Sequence, residues 1–160
     1  MTTTRRIGIA LVALTVAALA IGLWNARAWY RDSETLAQHR AAVSAASLEV
    51  TRLISLSSAA SAVSLAQLRG GATSAFASEL AAEASNLATQ LRTHHVVAKG
   101  SVVSAGLGWW TGDKATVFID AAGNVTNTSS SSPQVRSYRF KVDMQRVAGQ
   151  WLVSGLEFVA

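Results

Sequence analysis

The stretch SYRFKVDMQRVAGQWLVSGLEFV, Ser137 to Val159, decides the fold. Tyr138, Phe140, Val142 and Met144 alternate with Ser137, Arg139, Lys141, Asp143 and Gln145, the period-two pattern of a strand with one packed and one wet face. Ala148-Gly149 then turns the chain back into Trp151 to Val159. Two alternating runs around a short turn predict a hairpin, and hence a mainly antiparallel sheet. Toward the N-terminus, Ala115 to Ile119 predicts another strand, with a bulge or turn at Ala121 to Asn124 and a resumption over Val125 to Thr128. Ser129 to Pro133 reads as a loop, and Val96, Val97, Val102 and Val103 around Gly100 as the first strand of four.

Ahead of the sheet the periodicity is helical. From Leu23 to Arg69 there is neither Pro nor Gly. Leu36, Val43, Ala46, Val50, Leu53 and Ile54 recur at helical spacing, predicting an amphipathic helix from about Ser33 to Ser57. Ser55, Ser57, Ser58 and Ser61 compete for backbone hydrogen bonds, so a break is expected there, followed by a short helix to Leu68. After Gly70-Gly71, Thr73 or Ser74 can cap a third helix with the stripe Phe76, Leu80, Ala84, Leu87 and Leu91. The expected fold class is α+β, with helices packed on the apolar side of a curved, four-stranded, mainly antiparallel sheet.

The first residues set the topology. Ile7 to Trp24 reads IGIALVALTVAALAIGLW, eighteen residues without a charge. As a helix it covers about 27 Å of a hydrocarbon core roughly 30 Å thick. Arg5 and Arg6 precede it, and Trp24, Trp29 and Tyr30 follow at headgroup level, as interfacial anchors do. Ala26-Arg27-Ala28 would suit a cleaved signal peptide, but signal cores run only about 7 to 15 residues. An uncleaved anchor is the expectation. Arg27, Arg31 and Arg40 nearly balance the leading positive charges, and the short tail favours an N-terminus in the cytoplasm with the domain outside. Ala13 and Ala17, and Ala18 and Gly22, stand four apart and either admit a neighbouring helix or simply face lipid.

Of the 160 residues 50% are apolar and 14% charged, an unusually apolar balance that the leading segment explains. The formal charge is +5, and Arg5 and Arg6 account for two of these charges. The other basic residues are scattered, without the clustering that nucleic-acid binding needs. With no cysteine, disulfides, zinc thiolates and thiol catalysis are excluded. His94-His95 has no third ligand in view, and Asp113, Asp120 and Asp143 show no catalytic spacing. No serine sits in a Gly-x-Ser-x-Gly turn, and Gly70-Gly71 lacks the lysine and preceding strand of a phosphate loop. A non-enzymatic chain is expected, with no cofactor, metal or nucleic acid. Trp109-Trp110, between glycines at the expected tip of a hairpin, either offers a partner contact or closes the end of the core.

Three pieces carry a family likeness: VVAKGSVVSAGL (Val96 to Leu107), KATVFID (Lys114 to Asp120) and the run from Asn124 to Val159 ending GQWLVSGLEFV. The chain resembles the actinobacterial Mce-associated membrane proteins. That resemblance implies a cystatin-like or NTF2-like cone related to the periplasmic domains of VirB8-type scaffolds. It also implies an accessory subunit that stabilises or regulates an Mce lipid importer of the mycobacterial cell envelope. Its partners would be permease and tunnel subunits and membrane lipids. The expected organisation is a cytoplasmic tail (1–6), a transmembrane helix (7–24), a juxtamembrane helical segment (25–72) and a helix with the sheet (73–160). Residues 33–69 and 73–160 would together form one periplasmic domain of a single-pass inner-membrane protein. A VirB8-like secretion scaffold and a lipid-binding NTF2-like module are the alternative roles.

Overall fold

Helix α1 covers residues 33–54, the first element of a computed structural model that describes residues 33–58 and 61–159. It is followed by α2 (Ser61–Gly70), α3 (Ser74–Thr93) and the strands β1 (Val97–Thr111), β2 (Lys114–Asn127), β3 (Ser130–Val147) and β4 (Gln150–Phe158). The strands form one antiparallel meander in the order β1-β2-β3-β4. The chain divides into two compact units, Met1–Gln38 and His39–Ala160. The second holds the sheet, α2, α3 and α1 from His39 onward. Among the described residues no helix is long and apolar enough to cross a membrane. The expected span Ile7 to Trp24 lies outside the described residues.

The sheet's inner face is the one expected from its alternation. Phe140, Val142 and Met144 of β3 are buried with Val117 and Ile119 of β2 and Trp151 and Val153 of β4. Across from them α1 presents Ala42, Ala46, Val50 and Ile54. Small alanines at every fourth position bring the helix close to the sheet while Val50 and Ile54 fill the remaining space. Leu36, expected on this stripe, is exposed and belongs to the first unit. A second cluster joins Leu56, Leu65, Leu68 and Leu91, so α2 and α3 close over the end of α1.

The serine-rich break has a structural use. After Ile54 the chain leaves the helix and runs along β1, pairing Ser57 with Val97. Ala98 N donates to Leu56 O at 3.2 Å, and Ser58 N to Val96 O at 2.8 Å. The hydroxyls that weaken helix here release backbone groups that the sheet edge then takes up.

Three expectations need correction. Strand β2 does not bend or stop at Ala121 to Asn124, because those residues are paired on both sides, to Lys99–Val102 of β1 and Val135–Tyr138 of β3. The register shifts of the β1–β2 pairing fall in β1, at Val103 and Gly108, and that of the β2–β3 pairing lies between Val125 and Asn127. Ser130 to Pro133 is strand and not loop. The turn is only Thr128-Ser129, where Asn127 Oδ1 accepts from the backbone N–H of Ser129 and Ser130, each at 2.9 Å. Pro133 is tolerated because β4 joins β3 only from Phe140 onward, leaving the proline on an open edge. Finally, Trp109 and Trp110 lie within β1, before a turn that pivots on Gly112 with φ 51°.

Candidate functional site

Two places carry side chains that packing alone does not explain. The first is the end of β1. Adjacent strand residues face opposite ways, and the two indoles divide accordingly. Trp110, opposite Ala115, turns inward. Its ring meets His39 edge-on at 4.6 Å and lies 5.0 Å from the buried Trp151. Trp109, opposite Thr116, turns outward and is 52% exposed. Beside it Phe118 is 50% exposed, its ring lying where a Cβ on Gly108 would sit. The sequence left partner contact and core closure as alternatives for the pair. In the structure Trp110 packs into the core and Trp109 is left exposed.

Between this corner and the exposed Val135, the outer face carries charged pairs. Asp120 pairs with Arg139 at 3.5 Å and accepts from Ser104 Oγ at 3.0 Å. Lys141 lies 3.4 Å from Glu157 and 3.6 Å from Asp143, which also accepts from Thr116 Oγ1 at 2.7 Å. The hydrogen bond to Glu157, with Asp143 beside it, raises the Lys141 ammonium above its ordinary range near 10.5. These charges answer one another in solvent, where each pair is worth little.

The second place is under Gly71. Glu49 belongs to the buried stripe of α1 and is only 7% exposed. Arg52 Nη1 donates to its Oε1. Among the described residues its buried Oε2 has no hydrogen-bond partner, and leaving such an acceptor unpaired costs roughly 1–3 kcal/mol. Burial pushes the Glu49 carboxyl above the ordinary value of 4.5, and Arg52 offsets this only in part. The carboxyl fits because residue 71 is glycine, where any Cβ would overlap it. The glycine is held in place by the sheet: Val153 N donates to Gly71 O at 2.9 Å, and Thr73 N donates to Val153 O at 2.8 Å. Glu49 also lines a cavity of about 260 Å³ whose other lining residues are all apolar, among them Leu53, Leu68, Phe76, Leu80, Leu156 and Phe158.

Sequence reasoning missed Glu49. The signal was present, since Glu49 falls in register with Ala42, Ala46 and Val50, and a lone carboxylate on an apolar stripe with an arginine at i+3 marks a buried ion pair. The proposed anchor residues Arg5, Arg6, Ala13, Ala17, Ala18, Gly22, Trp24, Trp29 and Tyr30 lie outside the described residues. His94 caps α3 and His95 follows with φ 47°, both exposed at the helix-to-strand junction. Among the described residues no three His, Cys, Asp or Glu side chains are grouped to hold a metal ion.

Comparison with known proteins adds the following. Residues 5–160 match the family described as uncharacterized protein Rv1363c/MT1408-like. A Mycobacterium tuberculosis relative, the uncharacterized protein Rv1363c, is 26% identical over 140 residues, covering 86% of this chain. The chain spans only 54% of that protein. Among solved structures, CagV, a VirB8 homologue of a type IV secretion system from Helicobacter pylori, superposes with a TM-score of 0.57 at 13% identity, over 73% of this chain and 95% of that one. A periplasmic fragment of TraM superposes with a TM-score of 0.60 at 13% identity, over 74% and 95%. At such identities the likeness is one of fold.

Proposed function

The chain belongs to the Rv1363c/MT1408-like family, and from that premise we propose that it is a non-catalytic assembly subunit of a cell-envelope machine. Ile7 to Trp24 tethers it to the inner membrane as a single pass, its N-terminus in the cytoplasm and the folded unit in the periplasm. One combination carries this reading: an uncharged run long enough to span, followed by a fold shared with a VirB8 homologue and a periplasmic fragment. The machine is an Mce-type lipid importer, a choice that rests on the sequence likeness from about Leu80 to Val159. In it Ala13, Ala17, Ala18 and Gly22 pack against neighbouring membrane helices. Trp109 and Phe118 supply the apolar centre of a contact with the transporter, since exposed aromatic residues beside polar ones are typical of interface cores.

A second reading is favoured by the fold itself: a VirB8-like scaffold of a secretion system. Affinity purification from native membranes, with the full chain as bait, separates the two. Permease and tunnel proteins are expected to co-purify, and to be lost when Ile7 to Trp24 is exchanged for an unrelated membrane helix. Recovery of secretion-system components would favour the second reading. A soluble protein truncated near Ala28 would end both.

A further inference from the structure

We propose that the end of the folded unit formed by the β1–β2 and β3–β4 turns rests on an anionic phospholipid surface, with the apolar tip Val147-Ala148-Gly149 entering the headgroup layer and Arg40, Lys114 and Arg146 meeting lipid phosphates. This rests on the single-pass anchor proposed above. The two turns form one surface, because Arg146 N donates to Asp113 O at 2.7 Å across them. Helix α1 reaches the same end: His39, the first residue of this unit, meets Trp110 edge-on, and Trp110 stands one residue before the pair Thr111–Lys114 that closes the β1–β2 turn. Trp24 lies fifteen residues before His39, so at most about 50 Å of extended chain separates this end from the bilayer.

The composition of the tip selects the surface. Val147 is 43% exposed, and Ala148 and Gly149 are exposed with it. Ala148 sits at φ 49°, where asparagine, aspartate or glycine is easier to hold, so this turn keeps a methyl despite the strain. At a lipid interface a methyl is favoured and a polar side chain must be desolvated, which accounts for the alanine. The β2–β3 turn at the opposite end is built the other way, from Asn127, Thr128 and Ser129, all exposed and polar. Charge agrees with the assignment. Arg139 and Lys141 are paired with acids on the outer face, but among the described residues Arg40, Lys114 and Arg146 enter no ion pair. Asp113 offsets one of these three charges and leaves the end basic. Arg92, Lys99 and Arg136 make the opposite region basic too, so charge supplies attraction to anionic lipid while the apolar tip decides which end docks.

The chain has no cysteine, so one introduced thiol can carry a fluorophore. The full chain, labelled with bimane at Val147→Cys or at Ser129→Cys, is placed in nanodiscs of phosphatidylcholine with or without phosphatidylglycerol, and quenching by shallow lipid nitroxides is read. Bimane at Val147→Cys is expected to be quenched several-fold more than at Ser129→Cys when phosphatidylglycerol is present, and salt should relieve the difference. Adding Lys114→Gln should lower the docked-to-undocked ratio about fivefold, the effect of one basic residue near an anionic surface. Adding Ala148→Asn should also lose quenching while the urea midpoint of the chain rises, which separates docking from folding. Equal quenching at the two tips overturns the proposal, as does quenching at Val147→Cys that ignores phosphatidylglycerol. Either result assigns this end to solvent or to a protein partner. A chain recovered outside the nanodiscs would overturn the anchor, and this proposal with it.

Discussion

Glu49 places a carboxyl on the packed stripe of α1, and its titration should be visible in the stability of the fold. Burial raises its pKa above 4.5, so the folded chain holds this proton more tightly than the unfolded chain does. The stability it contributes is complete below about pH 4.5 and is lost as pH rises through the folded pKa. Glu49→Gln has no proton to lose and should lack that slope. Urea unfolding of both proteins from about pH 4 to about pH 7 measures it, and a stability difference that stays constant with pH would rule it out. Ala148 offers a second single-residue test. It turns the β3–β4 hairpin at φ 49°, with Gly149 at φ 85°, a conformation that asparagine adopts more readily than alanine. Ala148→Asn should stabilise by about 0.5–1 kcal/mol, read as an upward shift of the urea midpoint without a change in slope.

At the scale of elements, the join between α2 and α3 carries more than its sequence suggests. Gly70-Gly71 reads as a plain break, yet Ala72 bridges to Val153 of β4, and Thr73 then caps α3 with its hydroxyl accepting from Phe76 N at 3.5 Å. Removing this cap by Thr73→Ala should cost about 0.5–1 kcal/mol, the low end for such caps because the bond is long. Thr73→Ser should restore most of it, and equal losses in the two variants would show that the methyl, not the hydroxyl, matters. The three helices were legible because each has its own local mark: a stripe, a serine break, a cap. The interior of β2 was less legible. Ala121 to Asn124 looks like a turn by composition and is strand because it is paired on both flanks, information that belongs to the neighbouring strands.

For the whole molecule, the two faces of one sheet set different costs for the same residue type. Trp110→Ala opens space between His39 and Trp151 and should destabilise by about 2–4 kcal/mol. Trp109→Ala, on the outer face, should stay within about 0.5 kcal/mol while weakening recovery of partners. Thermal unfolding of each variant and the membrane pull-down supply the two readings. The amino-acid sequence alone determined the helix-then-sheet order, the inner face of β3 and the hairpin at Ala148-Gly149, since periodicity and turn chemistry are local. It also placed the uncharged run Ile7 to Trp24 ahead of the fold. Tertiary structure decided which indole is buried, where β1 shifts register, and that a carboxyl on α1 lies under a glycine about twenty residues later, against a strand about a hundred residues away. Contacts at that separation leave no periodic trace in the chain, so the cavity beside Glu49 appears only once helix, linker and strand are brought together.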